Sequence, residues 1–150
     1  MIRLFILIAI STLSAKNISS WEIDVQKDEL EQKRKIIIHT KSMNSNEFNF
    51  SKSKGSLYLR STNGKVECYI NWGGFITIET VNVRYRIGEY PPQSEVMSMS
   101  TSHEATFMSN PIDIIDKLRN SDTAFFRVTP YGDNPITYKF LLSGLDSILS

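Results

Sequence analysis

A chain of 150 residues has room for one ordinary domain, and its 22% charged and 11% aromatic content argues against a disordered polymer. A formal net charge of +1 provides no global field to gather nucleic acid. The single cysteine, Cys68, excludes an intramolecular disulfide and a cysteine-based zinc site.

Arg3 precedes the apolar run 4–10, and Ser11, Thr12, Ser14 and Ala15 follow it. A cation, a short greasy stretch and small residues at its exit read as a cleavable secretory signal peptide over 1–15, cut after Ser14 or Ala15. The run is shorter than the ~20 residues that cross a bilayer. No cysteine follows to take a lipid, and no second apolar run nears spanning length, so no stable membrane insertion is expected after cleavage. Residues 16–150 are then a single exported domain, periplasmic or secreted, with 16 cations against 16 acids.

Trp21, Ile23 and Val25 alternate with Glu22 and Asp24, the period of a half-buried strand over 21–25. The charged stretch 27–34 surrounds a lone Leu30 and reads as a solvated hairpin loop, with a short exposed helix as the alternative. The β-branched run 35–40 is a strand. Residues 41–55, rich in Ser, Asn and Lys, read as a long loop pinned by Phe48 and Phe50.

Segments 56–61 and 65–72 flank Asn63-Gly64, whose positive backbone angles suit a hairpin turn. Gly73-Gly74 marks a turn or bulge, and 75–78 a further short strand. Val81, Val83, Tyr85 and Ile87 alternate with Asn82, Arg84 and Arg86 in a two-faced strand ended by Pro91-Pro92. A weaker strand covers 95–100.

Asn110-Pro111 opens the one good helix, near 111–120, with Asn110 as its cap. Ile112, Ile114, Ile115 and Leu118 form its apolar side, and Asp113 and Lys117 an i,i+4 pair. Strands over 123–129 and 136–142 form a hairpin across the turn 130–135, and Leu145, Ile148 and Leu149 close the chain in a helical turn. Many short strands separated by turns predict a mostly β fold, a two-layer antiparallel β-sandwich.

Catalytic sets are missing from this sequence. His103-Glu104 begins like a zincin motif but has no second His four residues on, and His39 and His103 are the only histidines. Neither a G-x-S-x-G elbow nor a phosphate-cradling glycine loop is present. Asp24, Glu67, Glu79 and Glu95 lie on or beside strands, where solvated faces account for them more simply than the competing reading, a cell-wall hydrolase with a catalytic carboxylate pair such as Glu67 and Glu79. No enzyme activity, metal or cofactor is expected.

Candidate binding residues are Arg84 and Arg86 on one outward face, Arg60 and Arg127 from neighbouring strands, and Trp72. Clustered guanidinium groups suit carboxylate or phosphate surfaces. Cross-strand pairing with Glu67 and Glu79 is the competing reading. For Cys68 the readings are a buried apolar thiol or a bond to a cysteine of another chain.

The order of Leu57-Tyr58-Leu59-Arg60, Tyr69-Ile70-Asn71-Trp72-Gly73 and Val83-Arg84-Tyr85-Arg86-Ile87-Gly88 resembles the VasI/TagO family of type VI secretion-associated proteins, which has phage and prophage relatives. Arg127-Val128-Thr129-Pro130-Tyr131 and Phe140-Leu141-Leu142-Ser143-Gly144-Leu145 continue the likeness. The resemblance implies an exported periplasmic accessory protein that contacts an envelope protein or complex. A prophage-encoded periplasmic inhibitor or exclusion factor is the alternative. The family's cysteine after the Leu-x-x-Arg segment is replaced by Ser61, so no disulfide is carried over. The partner's identity and the oligomeric state stay open.

Mass spectrometry of the exported protein is expected to find an N-terminus at Ala15 or Lys16. Exported chains that keep Met1 would contradict cleavage.

Overall fold

The structure, a computed structural model, describes residues 20–150, so the leader read over 1–15 lies outside the described residues. Alternation of apolar and polar residues shapes nearly every element. The strands are β1 (Glu22–Asp28), β2 (Lys33–Phe48), β3 (Ser51–Thr62), β4 (Lys65–Asn71), β5 (Val81–Ile87), β6 (Gln93–Met99), β7 (Ala105–Phe107), β8 (Thr123–Val128) and β9 (Ile136–Leu141). Two helices, α1 (Pro111–Arg119) and α2 (Leu145–Leu149), complete the fold.

The strands form one antiparallel sheet in the order β1-β2-β3-β4-β7-β6-β5-β8-β9. Strand β6 is its hinge. One part of β6 pairs with β5 through Gln93 to Met97, and its end pairs with β7 at Ser98 and Met99. The sheet folds over there and brings the two halves face to face. The result is mostly β and sandwich-like, with both layers drawn from one continuous sheet.

One core fills the space between the layers. Ile38, Leu57, Leu59, Ile70 and Trp72 come from the first half, and Val83, Ile87, Phe126, Tyr138 and Phe140 from the second. Burying each such side chain stabilises the fold by roughly 1.5–3 kcal/mol. Helix α1 adds Ile114, Ile115 and Leu118, helix α2 adds Leu145, Ile148 and Leu149, and Arg119 Nε joins them by bonding Asp146 Oδ1 at 2.9 Å.

The layers interlock at Tyr138. Its ring lies against Gly55, where an added Cβ would meet ring carbons at 2.5–3.0 Å. Its hydroxyl directs its single proton between the carbonyls of Trp72 at 2.9 Å and Ser53 at 3.1 Å. Burial pushes this hydroxyl above its ordinary range, so it stays a donor at neutral pH. The outer edge of β9 is closed by side chains of β2. Asn44 donates to Thr137 O at 2.8 Å and accepts from Lys139 N at 2.9 Å, while Asn46 donates to Thr137 O at 2.9 Å.

Several expectations are corrected. Residues 41–55 are not a long loop: β2 and β3 run through them to a two-residue turn at Asn49-Phe50. A register shift between Lys41 and Ser45 makes room, and Ser42 Oγ accepts the Gly55 N–H at 3.0 Å. Phe48 does pin the segment, but Phe50 faces solvent. Residues 75–78 form no strand; Ile76 is buried in a loop, its N–H bonded to His103 O and its carbonyl to Tyr131 N. The sequence pattern gives no sign of the three-residue strand β7. On α1, Ile112 is 52% exposed and leaves the apolar side to the other three residues. Asn110 occupies the cap position without a side-chain cap bond. The Asp113–Lys117 pair forms at 3.3 Å.

Gly55→Ala is expected to destabilise the fold by roughly 1–3 kcal/mol through overpacking against Tyr138. Tyr138→Phe is expected to cost a similar ~1–3 kcal/mol by leaving buried carbonyls without their donor. Urea midpoints at unchanged m-value check both.

Candidate functional site

Because Val83, Tyr85 and Ile87 of β5 point into the core, Arg84 and Arg86 must point out. The same alternation exposes Arg127 and half-buried Phe125 from β8, and half-buried Thr137 and Lys139 from β9. Strand register then arranges these side chains in two rows. Arg84 lies opposite Arg127, which lies opposite Thr137. Arg86 lies opposite Phe125, which lies opposite Lys139.

Phe125 is the centre of the second row. The Arg86 guanidinium carbon sits 5.2 Å from its ring centroid, and Lys139 Nζ sits 5.8 Å away. Both cations use the ring's negative face. In the first row Arg84 Nη1 donates to Ser94 Oγ at 3.0 Å and Arg127 Nε to Thr137 Oγ1 at 2.9 Å. A hollow of about 250 Å³ opens between the rows, with Phe125 and Pro92 as apolar lining and the three arginines as cationic lining.

Among the described residues, no carboxylate forms an ion pair with Arg84, Arg86, Arg127 or Lys139. Arg84 and Arg127 are instead directly opposed across neighbouring strands. Like charges in that position destabilise a sheet, on the order of 0.2–1 kcal/mol. Guanidinium groups held this way present forked donors to a carboxylate or phosphate, which would relieve the repulsion.

Arg60 is not part of this face. It projects from β3 on the other half of the sheet, where Nη2 and Nε bond Glu67 Oε1 at 2.7 and 2.9 Å. Cross-strand pairing therefore holds for Arg60 and fails for the other three. Trp72 is 0% exposed, its indole N–H donates to Thr106 Oγ1 at 3.0 Å, and it offers no surface to a partner. Lys139 and Phe125 are site residues that sequence reasoning passed over. Each lay in a recognised strand, but only the register puts them beside Arg86.

Asp24 and Glu95 have separate partners. Asp24 accepts from Gln26 at 2.9 Å and Glu95 from the Ser109 N–H at 2.7 Å. His39 stands beside Glu22 at 3.3 Å, and His103 lies in the turn between β6 and β7. Cys68 is fully buried, and burial pushes its thiol far above the ordinary range. It is the apolar thiol of the two readings, with no path to a cysteine of another chain in this fold.

A second outward feature crosses β2, β3, β4 and β7. His39, Tyr58, Tyr69 and Phe107 follow one another in register with ring centroids 5.0, 4.9 and 4.8 Å apart. The stacked rings occupy one another's faces, so the row fixes strand register more than it offers a stacking platform.

No protein-family model matches the chain, and no curated protein does. Among solved structures, it is similar to the crystal structure of invasion associated protein B from Bartonella henselae, with a TM-score of 0.60 and 14% identity. The match covers 87% of this chain and 88% of the other. At that identity the likeness concerns the fold.

Arg127→Thr is expected to raise the thermal midpoint at low salt, by the equivalent of ~0.2–1 kcal/mol. The gain should shrink near 1 M salt, where the screening length falls to about 3 Å. An unchanged midpoint at low salt would show that the opposed cations do not repel.

Proposed function

We propose that this protein is an exported, non-catalytic accessory domain of the cell envelope, and that Arg84, Arg86, Arg127 and Lys139 dock it to an acidic surface of a protein partner. The observation that carries the reading is a face on which Arg84, Arg86, Arg127 and Lys139 form no ion pair and Arg84 stands opposite Arg127 in the register. Folding alone gains nothing from opposing Arg84 to Arg127, whereas an incoming carboxylate is stabilised by both. Arg84 and Arg86 are two residues apart, about 7 Å along the strand. Alternate side chains of an extended acidic segment have the same spacing.

Export rests on the charged and apolar pattern of residues 1–15. The envelope setting rests on that leader and on the residues that resemble the VasI/TagO family. A balanced overall charge keeps the attraction local to this face and favours an acidic protein patch over a long polyanion.

The test is a pull-down from envelope extracts with the exported protein as bait. A hydrogen bond to a charged group contributes roughly 1.5–3 kcal/mol. The Arg84→Glu, Arg127→Glu double variant is therefore expected to lose its specific partner by tenfold or more, with circular dichroism unchanged. Arg60→Ala is expected to retain it. Equal recovery of the partner by the double variant would sink the proposal.

A further inference from the structure

A different end of the molecule carries an independent inference. The turn between β2 and β3 consists of Asn49 and Phe50, with φ of 53° and 59°. Two consecutive residues at positive φ make the hairpin turn that Asn-Gly fills best. A phenylalanine there is strained. Phe50 is also 112% exposed, so its ring buries nothing in return.

The strained turn is held firmly. Asn49 Nδ2 donates to Phe75 O at 2.7 Å, tying the turn to the 73–80 loop. That loop is tied in turn to 130–135, because Tyr131 N donates to Ile76 O at 2.8 Å. Tyr131 is 80% exposed. The backbone hold thus places Phe50 and Tyr131 at the border of a hollow of about 530 Å³ that Glu47, Lys52 and Asp133 also line. Lys52 lies opposite Glu47 in the hairpin register, yet the two form no ion pair.

We infer that this end docks a polypeptide segment of a partner protein that inserts a lysine or arginine, flanked by apolar residues, between Phe50 and Tyr131. The aliphatic stem of such a side chain packs on the aromatic rings, and its charged head reaches Glu47 and Asp133. A bilayer fits less well. Its surface has no projecting group to fill the hollow, and anionic headgroups would meet both carboxylates. Holding the Phe50 backbone at the rim of the hollow before the encounter lowers the entropy cost of docking. That gain accounts for a residue that costs the free fold both strain and exposure.

The test pans a displayed library of random ten-residue peptides on the wild-type protein and measures the best binder by fluorescence anisotropy. Enriched peptides are expected to carry Lys or Arg beside apolar residues. Phe50→Gly is expected to raise Tm, because glycine accepts positive φ, while weakening the peptide at least tenfold. Leu30→Ser, which removes an exposed apolar residue from the opposite end of β2, is expected to leave binding unchanged. Binding that survives Phe50→Gly, a lowered Tm in that variant, or selection of no Phe50-dependent peptide would each overturn the inference. Phe50-dependent flotation with phosphatidylglycerol vesicles would overturn it in favour of a bilayer.

Discussion

Among the side chains that cross between the two halves of the sheet, Tyr138 is the one that reaches the core side of both. Tyr138 starts on β9, lays its ring on the bare backbone of Gly55 on β3, and delivers its hydroxyl to the Trp72 carbonyl beyond β4. Trp72 leans on the same ring at 5.9 Å between centroids and passes its own N–H to Thr106 on β7. Four strands or their ends are therefore referenced to one phenol. A larger residue at Gly55 or a shorter one at Tyr138 would change the spacing of the layers and the facing of everything outside them.

The cationic face follows from that constraint. Once Tyr138 and Phe126 point inward, Thr137, Lys139, Phe125 and Arg127 have no choice but to point outward. Sliding β8 by one residue would separate Arg84 from Arg127, but it would also bring Phe125 and Arg127 into the core. Burial of a side chain such as Phe126 stabilises by roughly 1.5–3 kcal/mol, against ~0.2–1 kcal/mol for the like-charge contact. The core wins, and the repulsion stays on the surface as a fixed feature. The register fixes which cations share this face whether or not a ligand is present.

Local signals made much of this fold legible. Alternation over 81–87 and 136–141, the Asn-Gly turn at 63–64 and the Asn-Pro entry to α1 each report on a few neighbouring residues. What was hidden depends on distant ones. Polar residues of 41–55 read as a loop because nothing nearby buries them, yet Asn44 and Asn46 serve as hydrogen-bond closures for β9, some ninety residues away. Strand β7 is three residues long, too short for periodicity, and exists because β4 and β6 leave a gap between them. Arginines at 60, 84, 86 and 127 look equivalent in sequence. The local Asn63-Gly64 hairpin puts Glu67 across from the first, whereas only the pairing of β5 with β8 sets Arg84 opposite Arg127 and Arg86 opposite Phe125.

Edges and faces have different uses in this molecule. Sheet edges invite strand addition because they carry unpaired amides and carbonyls. Here β9 has that capacity partly taken by the Asn44 amide, which supplies a donor and an acceptor as a neighbouring strand would. The other edge, β1, carries Glu22, Asp24, Lys27 and Asp28, and such charges discourage a flat, apolar strand from pairing there. Side chains on the faces and loop tips are left as the surfaces less guarded against contact. Two surfaces that carry a cost in the free protein are of that kind. One is electrostatic, at Arg84 and Arg127, and the other is conformational, at Phe50. A partner that relieves both gains from each separately, since the first responds to salt and the second to backbone freedom.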